Sequence, residues 1–173
     1  MTKRITISTL DAMKASGDKF VMITAYDATF ARLASEAGAE TILVGDSLGM
    51  VLQGHETTIP VSLDAMVYHT ECVARAKPRS LIVADLPFMS FSNPDDALHA
   101  STQLMQAGAQ MVKLEGGTWL SDSINRLVER GVPVCAHLGL TPQSVNVFGG
   151  YRVQGRTPKA AKSILADAVE IQD

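Results

Sequence analysis

Short, nearly continuous apolar runs alternate along the chain with stretches of helical period. The runs lie at 20–25 (FVMITA), 41–45 (TILVG), 81–84 (LIVA), 111–114 (MVKL) and 132–136 (VPVCA). Runs that are apolar without alternation belong to strands covered on both faces, as in parallel sheets. Helical stretches follow around 10–15 and then at 28–37, 63–76, 94–107, 120–130 and 158–171. Ser62 and Asn93 stand at helix-capping positions, Pro94 suits a first helical turn, and Gly38, Gly108 and Gly131 sit just past helical stretches. This repeated strand–helix order predicts right-handed crossovers and a single parallel sheet of five strands. Two connections are long, 48–61 (LGMVLQGHETTIPV) and 139–157 (GLTPQSVNVFGGYRVQGRT). Compact connections in such folds run about 2–6 residues, so these two are expected to be binding loops or lids.

Polar residues close the apolar runs, where parallel α/β folds carry their sites. Asp27 follows the first run, Asp46 and Ser47 the second, Asp85 the third, Glu115 the fourth and His137 the fifth, while Lys113 lies within the fourth. The topology therefore predicts one spatial cluster. Asp46, Asp85 and Glu115 crowded at one sheet end repel one another unless a cation or protons offset the charge. An all-oxygen set suits Mg²⁺ or a similar hard ion, and the lack of Cys/His clustering argues against zinc. Lys113 and Glu115, two apart on a strand, point to the same face, which places an ammonium beside the cation. Together the two positive charges suit an anionic oxo acid, its carbonyl polarised by metal and its carboxylate bound by Lys113.

Each of these residues also has a plainer reading. An acidic residue after a strand is a common helix cap, and Asp27, directly before a helix at Ala28, is expected to be one. His137 is equally compatible with a structural or a site-facing role, and His55, His69 and His99 read as surface or packing residues. Arg152 and Arg156 in the second long loop are either anion contacts or solvated. No dinucleotide, Walker-type, CxxC or HExxH motif occurs.

Composition adds boundaries. At 173 residues, with 46% hydrophobic and 19% charged positions, the chain reads as one globular domain, 1–173. A net charge of -3 gives no footprint for nucleic acid or anionic membrane, and no apolar run approaches the roughly 18 residues of a membrane span. The start, MTKRITISTL, lacks the apolar core of a secretion signal, so a cytoplasmic location is expected. Cys72 and Cys135 are too few for a disulfide framework and read as reduced, buried small hydrophobes.

Five blocks carry a resemblance: ITAYDATFARLASEAG (23–38), ILVGDSLGMVLQGHETTIPV (42–61), VADLPFMSF (83–91), MVKLEGG (111–117) and PVCAHLGLTPQSVNVFGGYRVQGR (133–156). In these the sequence resembles the ketopantoate hydroxymethyltransferase family. The resemblance implies a (β/α)₈ (TIM) barrel of the phosphoenolpyruvate/pyruvate superfamily, cytoplasmic and assembled as a large homo-oligomer, a decamer in the family. It implies a Mg²⁺ site at Asp46 and Asp85, with Glu115 near the metal, directly or through water. It also implies substrate contacts from Asp46, Ser47, Asp85, Lys113 and His137. The implied reaction moves a hydroxymethyl group from 5,10-methylenetetrahydrofolate to 3-methyl-2-oxobutanoate through an enolate, giving 2-dehydropantoate in pantothenate synthesis.

A complete barrel takes about 250 residues, whereas this sequence shows five βα units. The resemblance therefore implies a barrel domain incomplete at its C-terminus, with the glutamate that serves as the family's general base lying past Asp173. No catalytic base is assigned within the sequence. Two other readings stay open at this point: a Mg²⁺-dependent lyase or mutase of the same superfamily acting on another 2-oxo acid, and an inactive half-barrel that works only through a partner.

Overall fold

A computed structural model describes residues 4–172. Five strands, β1 (Met22–Thr24), β2 (Thr41–Val44), β3 (Leu81–Asp85), β4 (Met111–Glu115) and β5 (Val134–His137), form one sheet in the order β1-β2-β3-β4-β5. Every neighbouring pair is parallel. Between the strands run α2 (Ala28–Glu36), α4 (Leu63–Arg75), α5 (Pro94–Gln106) and α6 (Ser121–Glu129), preceded by α1 (Ile7–Ser16) and followed by α8 (Pro158–Gln172). The expected βα rhythm is observed. The two long connections are not plain loops: the first opens with a one-turn helix, α3 (Leu48–Val51), and the second holds a 3₁₀ turn (Pro142–Ser144) and the short α7 (Val145–Phe148).

The helix starts follow from local chemistry. Asp27 Oδ1 accepts from the backbone N–H groups of Thr29 and Phe30, so Asp27 is a cap. Asn93 Oδ1 does the same for Asp95 and Asp96, and Ser62 Oγ accepts from Ala65 N–H. Each cap satisfies N–H groups that the first helical turn leaves without a partner.

The period of two in the strands divides the interior. Ile42, Val44, Ile82, Ala84, Val112 and Leu114 face the helices and pack with Met66, Val73, Leu104, Leu120 and Leu127 in the main core. Leu81 and Val83 point the other way and pack with Ile5, alongside Ile7, Leu10, Leu43 and Met111. The N-terminal segment and α1 thus fill the N-terminal end of the inner face with apolar side chains. The same alternation, continued two residues at a time, makes Asp85, Lys113 and Glu115 the next inner-face positions.

Two expectations need correction. Burial on both faces holds for β2, β3 and most of β4, but β1 is exposed throughout and β5 is half-buried. These are the two edge strands, and each has a neighbour on one side only. Cys72 and Cys135 are free thiols but half-buried rather than buried. Among the described residues no helix is long and apolar enough to cross a membrane.

Candidate active site

Strand register assembles the site. β3 and β4 pair Asp85 with Lys113, and β4 and β5 pair Glu115 with His137, so each charged side chain has its partner on the adjacent strand. Lys113 Nζ lies 2.7 Å from Asp85 Oδ1 and 3.6 Å from Glu115 Oε1. His137 Nδ1–H donates to Glu115 Oε1 at 3.0 Å. Asp46, two residues past β2, turns its backbone N–H onto Asp85 Oδ2 at 3.1 Å. Asp46, Asp85, Lys113 and Glu115 are all buried, and His137 is half-buried.

Ser47 stands at the margin of this cluster. Its hydroxyl shares a 2.9 Å hydrogen bond with Tyr26 OH, and the Tyr26 carbonyl accepts from His69 Nδ1–H at 2.8 Å. His69 is therefore a packing residue that helps hold the tyrosine. A Cβ on Gly45 would lie 2.8 Å from Ser47 Oγ and 3.4 Å from Asp85 Oδ2. Only glycine lets the backbone pass this close to the site.

Gln143, which the sequence did not single out, ties the second long connection to the cluster. Its side-chain amide donates to Asp46 Oδ2 at 2.8 Å and to the Leu86 carbonyl at 2.9 Å, while its backbone N–H donates to Glu115 Oε2 at 3.0 Å. Beside Glu115 and Gln143 opens a slot of about 190 Å³, lined also by Phe88, Met89, Phe91 and Trp119. Phe91 and Trp119 stack with ring centroids 6.1 Å apart. His55 is exposed in the first long connection, where its backbone N–H donates to the Gly49 carbonyl, and His99 Nε2 hydrogen-bonds Gln103 within α5.

Burial sets the protonation chemistry. Removal from water pushes Asp85 up to about 7, with Lys113 pulling it down and Asp46 pushing it further up. Burial also raises Asp46 against the hydrogen bond from Gln143. Burial would lower Lys113, but the neighbouring Asp85, and then Glu115 and Asp46, hold it above the ordinary lysine value. Glu115 stays low despite burial because His137, the Gln143 N–H and Lys113 stabilise its charged form.

Among the described residues no three His, Cys, Asp or Glu side chains converge into a ready-made metal cage. The donor set still fits a hard cation that keeps water and substrate oxygens around it, because such an ion needs only one or two carboxylates from the protein. Asp46 and Asp85 are the two that could supply them. Asp85 Oδ1 is buried with the Lys113 ammonium 2.7 Å away, and this one ammonium faces three carboxylates. Both oxygens of Glu115 are hydrogen-bonded, one to His137 and one to the Gln143 N–H, so it is the least free of the three carboxylates to meet a cation directly.

Five parallel strands in sequential order, backed by helices and carrying buried carboxylates and a lysine at their C-terminal ends, are the arrangement of a partial (β/α) barrel with its site where such folds carry one. Solved structures agree on the fold. 2,3-Dimethylmalate lyase, a member of the PEP mutase/isocitrate lyase superfamily, matches 94% of this chain and 57% of its own with a TM-score of 0.64 and 17% identity. Phosphonopyruvate hydrolase, solved with oxalate and Mg²⁺, matches 91% of this chain and 66% of its own with a TM-score of 0.65 and 17% identity. Sequence comparison is more specific. The family model for ketopantoate hydroxymethyltransferase matches residues 4–173. The 3-methyl-2-oxobutanoate hydroxymethyltransferase of Burkholderia vietnamiensis is 61% identical over 98% of this chain. The enzyme of that name from Marinobacter nauticus is 60% identical over 97%. The chain belongs to the ketopantoate hydroxymethyltransferase family, and it spans 62% and 64% of the length of these two relatives.

Proposed function

We propose that the chain carries the oxo-acid half of a reaction in which 3-methyl-2-oxobutanoate takes a hydroxymethyl group from 5,10-methylenetetrahydrofolate to give 2-dehydropantoate. The observation that carries this reading is the buried cluster of Asp46, Asp85 and Glu115 around Lys113, inside a sequence that matches the family along its described length. The setting is cytoplasmic, and the working form is a homo-oligomer.

In this reading Asp46 and Asp85 would hold Mg²⁺, with Glu115 beside them. The bound ion would polarise the keto oxygen and so acidify the C3 proton. Lys113 binds the substrate carboxylate and offsets the negative charge that develops on the oxygen side as C3 is deprotonated. Glu115 keeps the His137 ring oriented through Nδ1, which turns Nε2 toward the substrate as a hydrogen-bonding group. Ser47, held by Tyr26, offers its hydroxyl to the same ligand. Burial excludes water, which strengthens each of these interactions. These residues bind and polarise, and none of them is assigned to proton abstraction.

Calorimetric titration of 3-methyl-2-oxobutanoate into this chain with Mg²⁺ tests the reading. Saturable binding that disappears without Mg²⁺ and in Asp85→Ala is expected. Absence of binding by the folded chain, or binding indifferent to Asp85, would overturn it.

A further inference from the structure

Gln143 divides the labour among the three carboxylates. Its side chain is buried, and both of its N–H groups are used, one on Asp46 Oδ2 and one on the Leu86 carbonyl. Both partners are acceptors, so the amide can face them only through its nitrogen. Its backbone N–H takes Glu115 Oε2, and His137 takes Glu115 Oε1. On Asp85, Oδ2 accepts the Asp46 N–H. Its other oxygen, Oδ1, faces the Lys113 ammonium at 2.7 Å, so Asp85 and Glu115 have both oxygens engaged, and on Asp46 the Gln143 amide takes Oδ2.

Resting on the reading of this cluster as a Mg²⁺ site, we propose that Gln143 is a positioning residue that sets which cation the site accepts. By holding Asp46 Oδ2, it confines that carboxylate to ligation through one oxygen. Single-oxygen carboxylates with several waters match the small octahedral shell of Mg²⁺ at about 2.1 Å, whereas Ca²⁺ takes 6–8 oxygens and uses two-oxygen carboxylates readily. Removing the amide frees Asp46 Oδ2, and the site then offers the extra oxygen that the larger ion uses. Partners behind metal ligands are typically worth 10–100-fold in affinity.

The test is calorimetric titration of MgCl₂ and of CaCl₂ into the chain without oxo acid, for the unaltered protein, Gln143→Met and Asp85→Asn. Circular dichroism checks the fold of each variant. Methionine keeps the side-chain length and the backbone N–H to Glu115 and removes only the two side-chain donors. Mg²⁺ affinity is expected to fall about tenfold in Gln143→Met while Ca²⁺ affinity holds or rises, so the Mg²⁺/Ca²⁺ preference falls at least about tenfold. Gln143→Asn, too short to span Asp46 and Leu86, should show the same loss of preference and serves if the methionine variant does not fold. In the unaltered protein, the Gln143 side-chain amide protons should remain protected from exchange when Mg²⁺ is added, and their loss of protection overturns the proposal. A preserved Mg²⁺/Ca²⁺ preference in a folded Gln143 variant, with Asp85→Asn abolishing Mg²⁺ binding, overturns this inference alone. If the unaltered chain binds no Mg²⁺, or Asp85→Asn binds it normally, the site reading falls and this inference with it.

Discussion

Lys113 Nζ lies 2.7 Å from Asp85 Oδ1 because β3 and β4 pair these two residues directly in register. Replacing Lys113 with methionine removes the one ammonium from a site with three buried carboxylates. Oxo-acid binding is expected to weaken by at least about 100-fold, in line with the roughly 3–5 kcal/mol that breaking a buried pair costs. The loss in thermal stability should be smaller at pH 6 than at pH 8, since the stranded Asp85 can take a proton. Calorimetry and melting curves check both, and unchanged oxo-acid affinity would count against the role given to Lys113.

The pH dependence of the metal-free chain follows from Asp85 and Asp46. Both carboxyls are raised in the folded state, Asp85 to about 7, so between about pH 4 and 7 the folded chain holds more protons than the unfolded one. Their contribution is therefore fully present at low pH and is lost as pH rises through 7. Glu115, shifted the other way, loses its contribution only at pH values below the ordinary carboxylate range. Between pH 5 and 8 stability should fall, by at most on the order of 2–3 kcal/mol from Asp85. Mg²⁺ competes with those protons and should raise the melting temperature more at pH 8 than at pH 5. Melting curves with EDTA and with Mg²⁺ read this directly, and a flat or rising metal-free profile would contradict it.

Leu114 stands between Lys113 and Glu115 on β4 but points to the other face, where it is fully buried in the main core. Leu114→Ala should cost about 2–5 kcal/mol in urea unfolding, as buried large-to-small changes do. If Mg²⁺ affinity survives in the folded fraction, the core and the site are separable across one strand.

Asp167 on α8 accepts from both the backbone N–H and the hydroxyl of Thr118, and a Cβ on Gly117 would sit 2.5 Å from its carboxylate. Gly117→Ala should turn the Asp167 carboxylate away and break its tie to Thr118, loosening α8 from the loop after β4. Faster proteolysis between the second long connection and α8 is the expected readout, with Asp167→Ala giving the same pattern. Unchanged cleavage in both variants would show that this contact does not hold the helix.

Much of the site was legible because strand-end chemistry and the period of two are local properties. Asp85, Glu115 and His137 close apolar runs in the sequence and are the last residues of β3, β4 and β5. Same-face placement of Lys113 and Glu115 followed from spacing alone. Gln143 was not legible, because an uncharged residue in an aperiodic stretch becomes notable only when the fold delivers Asp46 and Leu86 to its amide. The one hint was Pro142 inside a long connection, a residue suited to open a helical turn, and the turn it opens aims Gln143 inward. Tyr26 was hidden for the same reason, its partner Ser47 lying on the next βα unit. Exposure of β1 was hidden because an apolar run does not say how many neighbours its strand has.

The strand order has a kinetic consequence. Each strand pairs with the next one in sequence, with paired residues 19–40 positions apart, and closure entropy rises only slowly with loop length. The Gln143–Asp46 hydrogen bond joins residues 97 apart and is the longest-range of the hydrogen bonds that build the site. Sheet growth can therefore run ahead of it, so a cation met during refolding is expected to bind weakly once β2 and β3 bring Asp46 and Asp85 together and about tenfold more tightly once the 139–157 connection docks Gln143.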